Sequence, residues 1–238
     1  MTAYDAAFAR CAERAGIDIL LVGDSVGTVA LGYDSTTPVT IDDMVHHTGA
    51  VARGAHHAHI IGDLPFGSYQ ASDADAIRSA TRLIQEAGAT SVKLEGGRRV
   101  CNRIRAIVGA GIPVMGHIGI LPQTAGLGPG YKMRTNRERL LTDARAVQDA
   151  GAYAIVLEVV EPEVAAEITA ALKIPTVGIG SGPSCDAQVL VLYDLLGLFD
   201  DPPPFVKRYA DLGTQTVDAL AQFVKEVRAR DYPPTSST

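Results

Sequence analysis

Five short apolar runs in this chain close on an ionisable residue: Asp24, Asp63, Glu95, His117 and Glu158. Four carboxylates brought to one place repel one another. They coexist ionised only around a cation, unless at least one stays protonated. An all-oxygen donor set suits a hard ion such as Mg2+ rather than a thiolate-preferring metal. Taken singly, an acidic residue after a strand is equally a cap or turn former, and it is the recurrence that points to chemistry. Lys93 stands two positions before Glu95 and so shares its side of a strand. Facing carboxylates, it reads either as one half of an ion pair or as an anion-binding group.

The elements that would position these residues alternate regularly. Strands are predicted over 18–24, 58–63, 91–95, 113–117, 153–158 and 175–180, each nearly continuous in apolar character, as in a sheet covered on both faces. Helices are predicted over 73–87, 98–110, 137–150 and 163–172, and Gly88, Gly111 and Gly151 stop three of them. Repeated βα units imply a parallel sheet with right-handed crossovers. With Thr2–Asp5 and Phe205–Ala210 as two further strands, the reading is an eight-stranded (β/α)8 TIM barrel, whose strand ends converge on one face. An open doubly wound sheet is the alternative. The run Gln188–Leu196 reads as a helix capped by Asp186.

The chain has 238 residues and a net charge of −6 without a long basic run, which argues against nucleic acid or an anionic membrane as partner. Cys11, Cys101 and Cys185 are odd in number and lack CxxC spacing. They give neither a disulfide framework nor a thiolate zinc site, and they suit the reducing cytoplasm. Residues 1–5 lack the basic-then-apolar pattern of a secretory signal, and no apolar run approaches transmembrane length. One domain over residues 1–238 is expected, with 231–238 a loose tail. The glycine-rich stretches 126–130 and 178–182 match no nucleotide-binding fingerprint and read as turns at the mouth of the site. His46, His47, His56, His57 and His59 lack the spacing of a helical zinc pair. Ser25 follows Asp24 outside any GxSxG elbow.

At these residues the sequence resembles the ketopantoate hydroxymethyltransferase family. The matching segments are TAYD (2–5), LLVGDSVG (20–27), DSTTPVTIDDM (34–44), GDLPFGSY (62–69), SVKLEGG (91–97), GHIGILPQ (116–123), GYK (130–132), IVLEVV (155–160) and VGIGSG (177–182). Together they run from Thr2 to about Tyr232.

The resemblance implies a (β/α)8 barrel of the phosphoenolpyruvate/pyruvate superfamily. It implies Mg2+ held by Asp24, Asp63 and Glu95, and a 2-oxo acid bound through Asp24, Ser25, Asp63 and Lys93 with His117 close by. Glu158 becomes the proton acceptor. The reaction implied is transfer of a one-carbon unit from 5,10-methylenetetrahydrofolate to 3-methyl-2-oxobutanoate, in a large homo-oligomer, usually a decamer. The common DGQ after the GIGxG strand reads Asp186-Ala187-Gln188 here. A Mg2+-dependent lyase of the same superfamily is the rival, but its catalytic-cysteine loop is not found between Gly119 and Tyr131. A non-catalytic oxo-acid binder is the third reading, and the intact Asp24, Asp63, Lys93, Glu95 and Glu158 argue against it.

Overall fold

The predicted apolar runs form strands, and helices lie between most of them. In a computed structural model, residues 1–125 and 133–234 are described. The GYK segment and the glycine run 126–130 therefore lie outside the described residues, as does the end of the expected tail. The contacts fall into two compact units, Met1–Leu190 and Val191–Thr238.

The first unit begins with α1 (Ala6–Arg14), β1 (Ile19–Val22), α2 (Val26–Val29), α3 (Ile41–Gly54), β2 (His59–Asp63), α4 (Asp73–Gln85) and β3 (Ser91–Lys93). It continues with a 3-10 turn at Arg98–Val100, α5 (Cys101–Gly109), β4 (Val114–Gly119), α6 (Pro122–Ala125), α7 (Arg137–Asp149), β5 (Ala154–Glu158), α8 (Pro162–Ala171), β6 (Thr176–Ile179) and β7 (Ala187–Gln188). Local chemistry starts several of the helices. The Asp5 carboxylate accepts from the Ala7 and Phe8 amides, Thr40 and Asp43 form a reciprocal capping box, and Ser72 accepts from Asp75.

The seven strands form one parallel sheet in the order β1-β2-β3-β4-β5-β6-β7. A doubly wound sheet reverses its strand order at a switch point. This order never reverses, so the open-sheet alternative is set aside and the sheet winds in one direction.

Alternation along each strand divides the side chains. Ile61, Met115, Ala154 and Val156 form one buried cluster, against which Leu21, Val177 and Ile179 pack. One pleat further toward the strand ends, the same face presents Asp63, His117 and Glu158. The opposite face meets helices, and at Gly116 any side chain would stand 2.3 Å from Val147 of α7.

Two sequence expectations are corrected. Gln188–Leu196 is not one helix: Ala187–Gln188 pairs with Val177–Gly178, and only Leu192–Leu195 (α9) is helical. The reason is Asp186, whose carboxylate accepts from the Thr176 amide (2.8 Å) and hydroxyl (3.0 Å) and so ties this segment to β6 instead of capping a helix. Phe205–Ala210 forms no strand either; Phe205 and Tyr209 are exposed in an irregular segment of the second unit. Thr2, by contrast, bridges in parallel to Leu21, and its amide donates to the Leu190 carbonyl at 3.1 Å. Its segment is thus bonded to β1 on one side and to the residues after β7 on the other.

The second unit carries α9 and α10 (Leu212–Ala229). α10 buries none of its residues within this chain and exposes Val217, Leu220, Phe223, Val224 and Val227. Among the described residues no helix is long and apolar enough to cross a membrane.

Candidate active site at the strand ends

The C-terminal ends of β1 to β5 bring the predicted residues together. Asp24 follows β1, Asp63 ends β2, Lys93 ends β3 with Glu95 two residues on, His117 lies in β4 and Glu158 ends β5. Asp24, Asp63, Lys93, Glu95 and His117 are each 5% exposed or less. Glu158 is less enclosed, its side chain 15% exposed.

Three buried carboxylates here face one ammonium. Lys93 Nζ donates to Asp63 Oδ2 at 2.6 Å, and the Asp24 amide reaches the same oxygen at 3.2 Å. Both readings of Lys93 thus meet in one place, since it is ion-paired and stands among the strand-end acids. Burial, then the neighbouring Asp63 charge, raises the Asp24 pKa to about 7. Burial, then Asp24, pushes Glu95 well above the ordinary carboxylate range. Burial acts to lower Lys93, but Asp63, Asp24 and Glu95 outweigh it and hold the ammonium charged.

Sequence reasoning missed the residue that organises these acids. Gln123, at the start of α6 and 1% exposed, donates from its side-chain amide to Asp24 Oδ2 (3.0 Å) and to the Leu64 carbonyl (2.9 Å). Its backbone amide donates to Glu95 Oε1 at 3.0 Å. Its own amide oxygen accepts from the buried Tyr69 hydroxyl at 2.7 Å. The Tyr4 hydroxyl likewise shares a hydrogen bond of 2.8 Å with Ser25 Oγ. Gln123 and Tyr69 do fall inside the quoted motifs GHIGILPQ and GDLPFGSY, and Tyr4 inside TAYD, which was the available signal.

His117 sits between two acids, Nε2 3.2 Å from Glu158 Oε2 and Nδ1 3.7 Å from Glu95 Oε2. Neither ring nitrogen completes a hydrogen bond, and Asp63 Oδ1 and Glu95 Oε2 are also buried without a partner. Orphaned polar atoms in such number are costly unless a ligand completes them. Val159, directly after Glu158, has a φ of 50°, a left-handed conformation that is unfavourable for a β-branched residue. The Val159 amide is tied to the Ile179 carbonyl, and the Val160 amide to Ser181 Oγ at 3.0 Å. The GIGSG turn of residues 178–182 thus clamps the end of β5, and the strain is held where Glu158 is aimed.

The donor set fits a hard divalent cation. It is all oxygen, its three carboxylates face a single ammonium, and it leaves Asp63 Oδ1 and Glu95 Oε2 open. Among the described residues no three His, Cys, Asp or Glu side chains are already gathered as a coordination set; Lys93 engages one oxygen of Asp63, and Gln123 one each of Asp24 and Glu95.

A family model for ketopantoate hydroxymethyltransferase matches residues 1–235. The chain belongs to that family. It is 50% identical over 237 residues to the 3-methyl-2-oxobutanoate hydroxymethyltransferase of Ignicoccus hospitalis, covering 98% of this chain and 90% of the relative. It is 54% identical over 237 residues to the enzyme of that name from Chloroflexus aurantiacus, covering 98% and 84%. The chain is accordingly a hydroxymethyltransferase of pantothenate biosynthesis, and the lyase and non-catalytic readings fall away. Among solved structures, 2,3-dimethylmalate lyase, a PEP mutase/isocitrate lyase superfamily member, superposes with a TM-score of 0.61 at 18% identity over 100% of this chain and 84% of that one. Phosphonopyruvate hydrolase in complex with oxalate and Mg++ gives 0.63 at 15% identity, over 100% and 86%. At those identities the likeness is one of fold alone, that of an α/β protein.

Proposed function

We propose that the strand-end site takes 3-methyl-2-oxobutanoate, removes its C3 proton and joins the resulting carbanion to the one-carbon unit of 5,10-methylenetetrahydrofolate. With water, this yields 2-dehydropantoate and tetrahydrofolate. The observation that carries the reading is the pairing of a partly exposed Glu158 with a buried acidic cluster holding one fixed ammonium.

Glu158 is the base. Its carboxylate ends β5 at the edge of the buried cluster, open enough to meet substrate, and the clamped, strained Val159 fixes its direction. Lys93 offsets the negative charge of the 2-oxo acid, and Ser25, oriented by Tyr4, offers a hydroxyl to it. His117 contacts both Glu95 and Glu158, so it positions the base beside the substrate. Asp24, Asp63 and Glu95 would hold Mg2+, which supplies charge neutralisation and polarises the 2-oxo carbonyl when bound. Gln123 keeps Asp24 and Glu95 oriented for that role.

The Met1–Ala3 segment, bonded on both sides, is read as the closing strand of a (β/α)8 barrel. A homo-oligomer of the family's decameric kind in the cytoplasm is also proposed, and the exposed apolar residues of α10 support association. Light scattering at micromolar concentration tests it, and a mass near 25.0 kDa counts against assembly. The chemistry is tested by following 2-dehydropantoate formation with and without the folate. Turnover should require 3-methyl-2-oxobutanoate, the methylene donor and Mg2+ together, and equal product without the donor would overturn the reading.

A further inference from the structure

Each of the three buried acids at the strand ends has one oxygen engaged by the protein itself. Lys93 Nζ donates to Asp63 Oδ2 at 2.6 Å, the Gln123 side-chain amide to Asp24 Oδ2 at 3.0 Å, and the Gln123 backbone amide to Glu95 Oε1 at 3.0 Å. Asp63 Oδ1 and Glu95 Oε2 remain buried without a partner. Two of these three contacts come from one residue, the buried Gln123.

The Gln123 amide is held one way round. Its nitrogen donates to Asp24 Oδ2 and to the Leu64 carbonyl at 2.9 Å. Its oxygen accepts from the Tyr69 hydroxyl at 2.7 Å and from Gln70 Nε2 at 3.4 Å. Reversed, it would set an oxygen against a carbonyl and an ionised carboxylate, which are acceptors only. Tyr69 is fixed in turn by Arg103 of α5, whose Nε donates to the Tyr69 carbonyl at 3.0 Å and whose Nη2 donates to the Gln70 carbonyl at 3.1 Å. A continuous chain of contacts thus runs from α5, through the loop after β2, to the acids that follow β1 and β3.

How many oxygens each acid can offer decides which divalent ion the set suits. Mg2+ demands near-ideal octahedral geometry and keeps several waters, whereas Ca2+ accepts a larger, looser shell and readily takes both oxygens of one carboxylate. We propose that Gln123, locked by Tyr69, is a positioning residue that sets the ion selectivity of the site. By engaging one oxygen of Asp24 and one of Glu95, it leaves each acid a single oxygen to offer, as Lys93 does for Asp63. That restriction favours Mg2+ over Ca2+. The inference rests on the reading of Asp24, Asp63 and Glu95 as cation ligands and supplies the physical basis for the choice of ion.

Calorimetric titration with MgCl2 and, separately, with CaCl2 tests this on wild type, Gln123→Met and Tyr69→Phe. Methionine keeps the side-chain length and the backbone amide to Glu95, but frees Asp24 Oδ2. Wild type should bind Mg2+ more tightly than Ca2+. Gln123→Met should lose about 10–100-fold in Mg2+ affinity, the usual effect of removing a hydrogen bond that orients a metal ligand. Its Ca2+ affinity should fall much less, because a second Asp24 oxygen becomes available, so the preference moves toward Ca2+ by about tenfold or more. Tyr69→Phe keeps the ring, loosens the amide and should move the preference the same way by a smaller factor. Should Gln123→Met fail to fold, Tyr69→Phe and the wild-type preference decide. An unchanged ratio of the two affinities in the variants, which a merely structural role would give, overturns the proposal, as does a wild type that prefers Ca2+. A wild type that binds neither ion would instead overturn the reading of the three acids as ligands.

Discussion

Lys93 and Asp63 form a buried ion pair across the β2–β3 register, Nζ to Oδ2 at 2.6 Å. The pair sits in the same pleat as the proposed base and beside two further buried acids. It is thus both the electrostatic anchor of the site and the feature most exposed to mutation.

Lys93→Met keeps the length of the side chain and removes its charge. Asp63 would then be buried beside Asp24 and Glu95 without a cation. Breaking one side of a buried pair costs about 3–5 kcal/mol. Urea unfolding should show a lower midpoint with an unchanged slope, and an unchanged midpoint would mean the pair is not holding the acids in the fold.

Asp63→Asn tests the cation. An ion that binds only the folded state raises its melting temperature by mass action. Wild type should melt higher when Mg2+ is added and lower again in chelator. The variant, having lost one of the proposed oxygen donors, should show no Mg2+-dependent shift. Differential scanning fluorimetry reads this without reference to turnover, and an equal shift in both proteins would remove Asp63 from the donor set.

Glu158→Gln isolates the base. Proton removal needs the oxo acid but not the folate, so wild type in D2O with Mg2+ should exchange the C3 hydrogen of 3-methyl-2-oxobutanoate with no one-carbon donor present. The variant should still bind the oxo acid yet lose exchange by roughly 10²–10⁴-fold, the usual worth of a positioned base. NMR at C3 follows the reaction. Exchange at the wild-type rate would shift the role to another group, with His117 the nearest.

At the opposite end of the strands, His59 Nε2 lies 2.9 Å from Ser91 Oγ and 3.2 Å from the Tyr153 hydroxyl. Partial burial lowers its pKa below the ordinary 6.5. Below that value the unfolded chain takes up a proton that the folded chain refuses, so stability falls as pH drops from 6.5 through the folded value. Chemical unfolding at pH 7.5 and 5.5 should show a larger loss for wild type than for His59→Gln. Equal losses would mean that His59 titrates alike in both states.

Much of this molecule was legible in the residues themselves. Continuous β-branched runs closing on Asp63, Glu95 or Glu158 identify strands and, once the strands are parallel, place those groups at one end, because alternation and chain direction are local properties. The mistaken helix at Gln188–Leu196 shows where that logic stops. Its periodicity is ambiguous, and only the hydrogen bonds from Thr176 to Asp186 decide that the segment joins the sheet. Gln123 was invisible as a site residue for the same reason. It lies 99 positions from Asp24 and 28 from Glu95, and nothing in its own neighbourhood says that its amide will meet both. The left-handed Val159 depends on Ile179 of the next strand, which holds its amide, and on Ser181 in the turn beyond, which holds that of Val160. Sequence dictated the strands and the acids they carry. Tertiary packing decided which oxygens are engaged, which are left open and where Glu158 is aimed, because those outcomes depend on contacts between segments far apart in the chain.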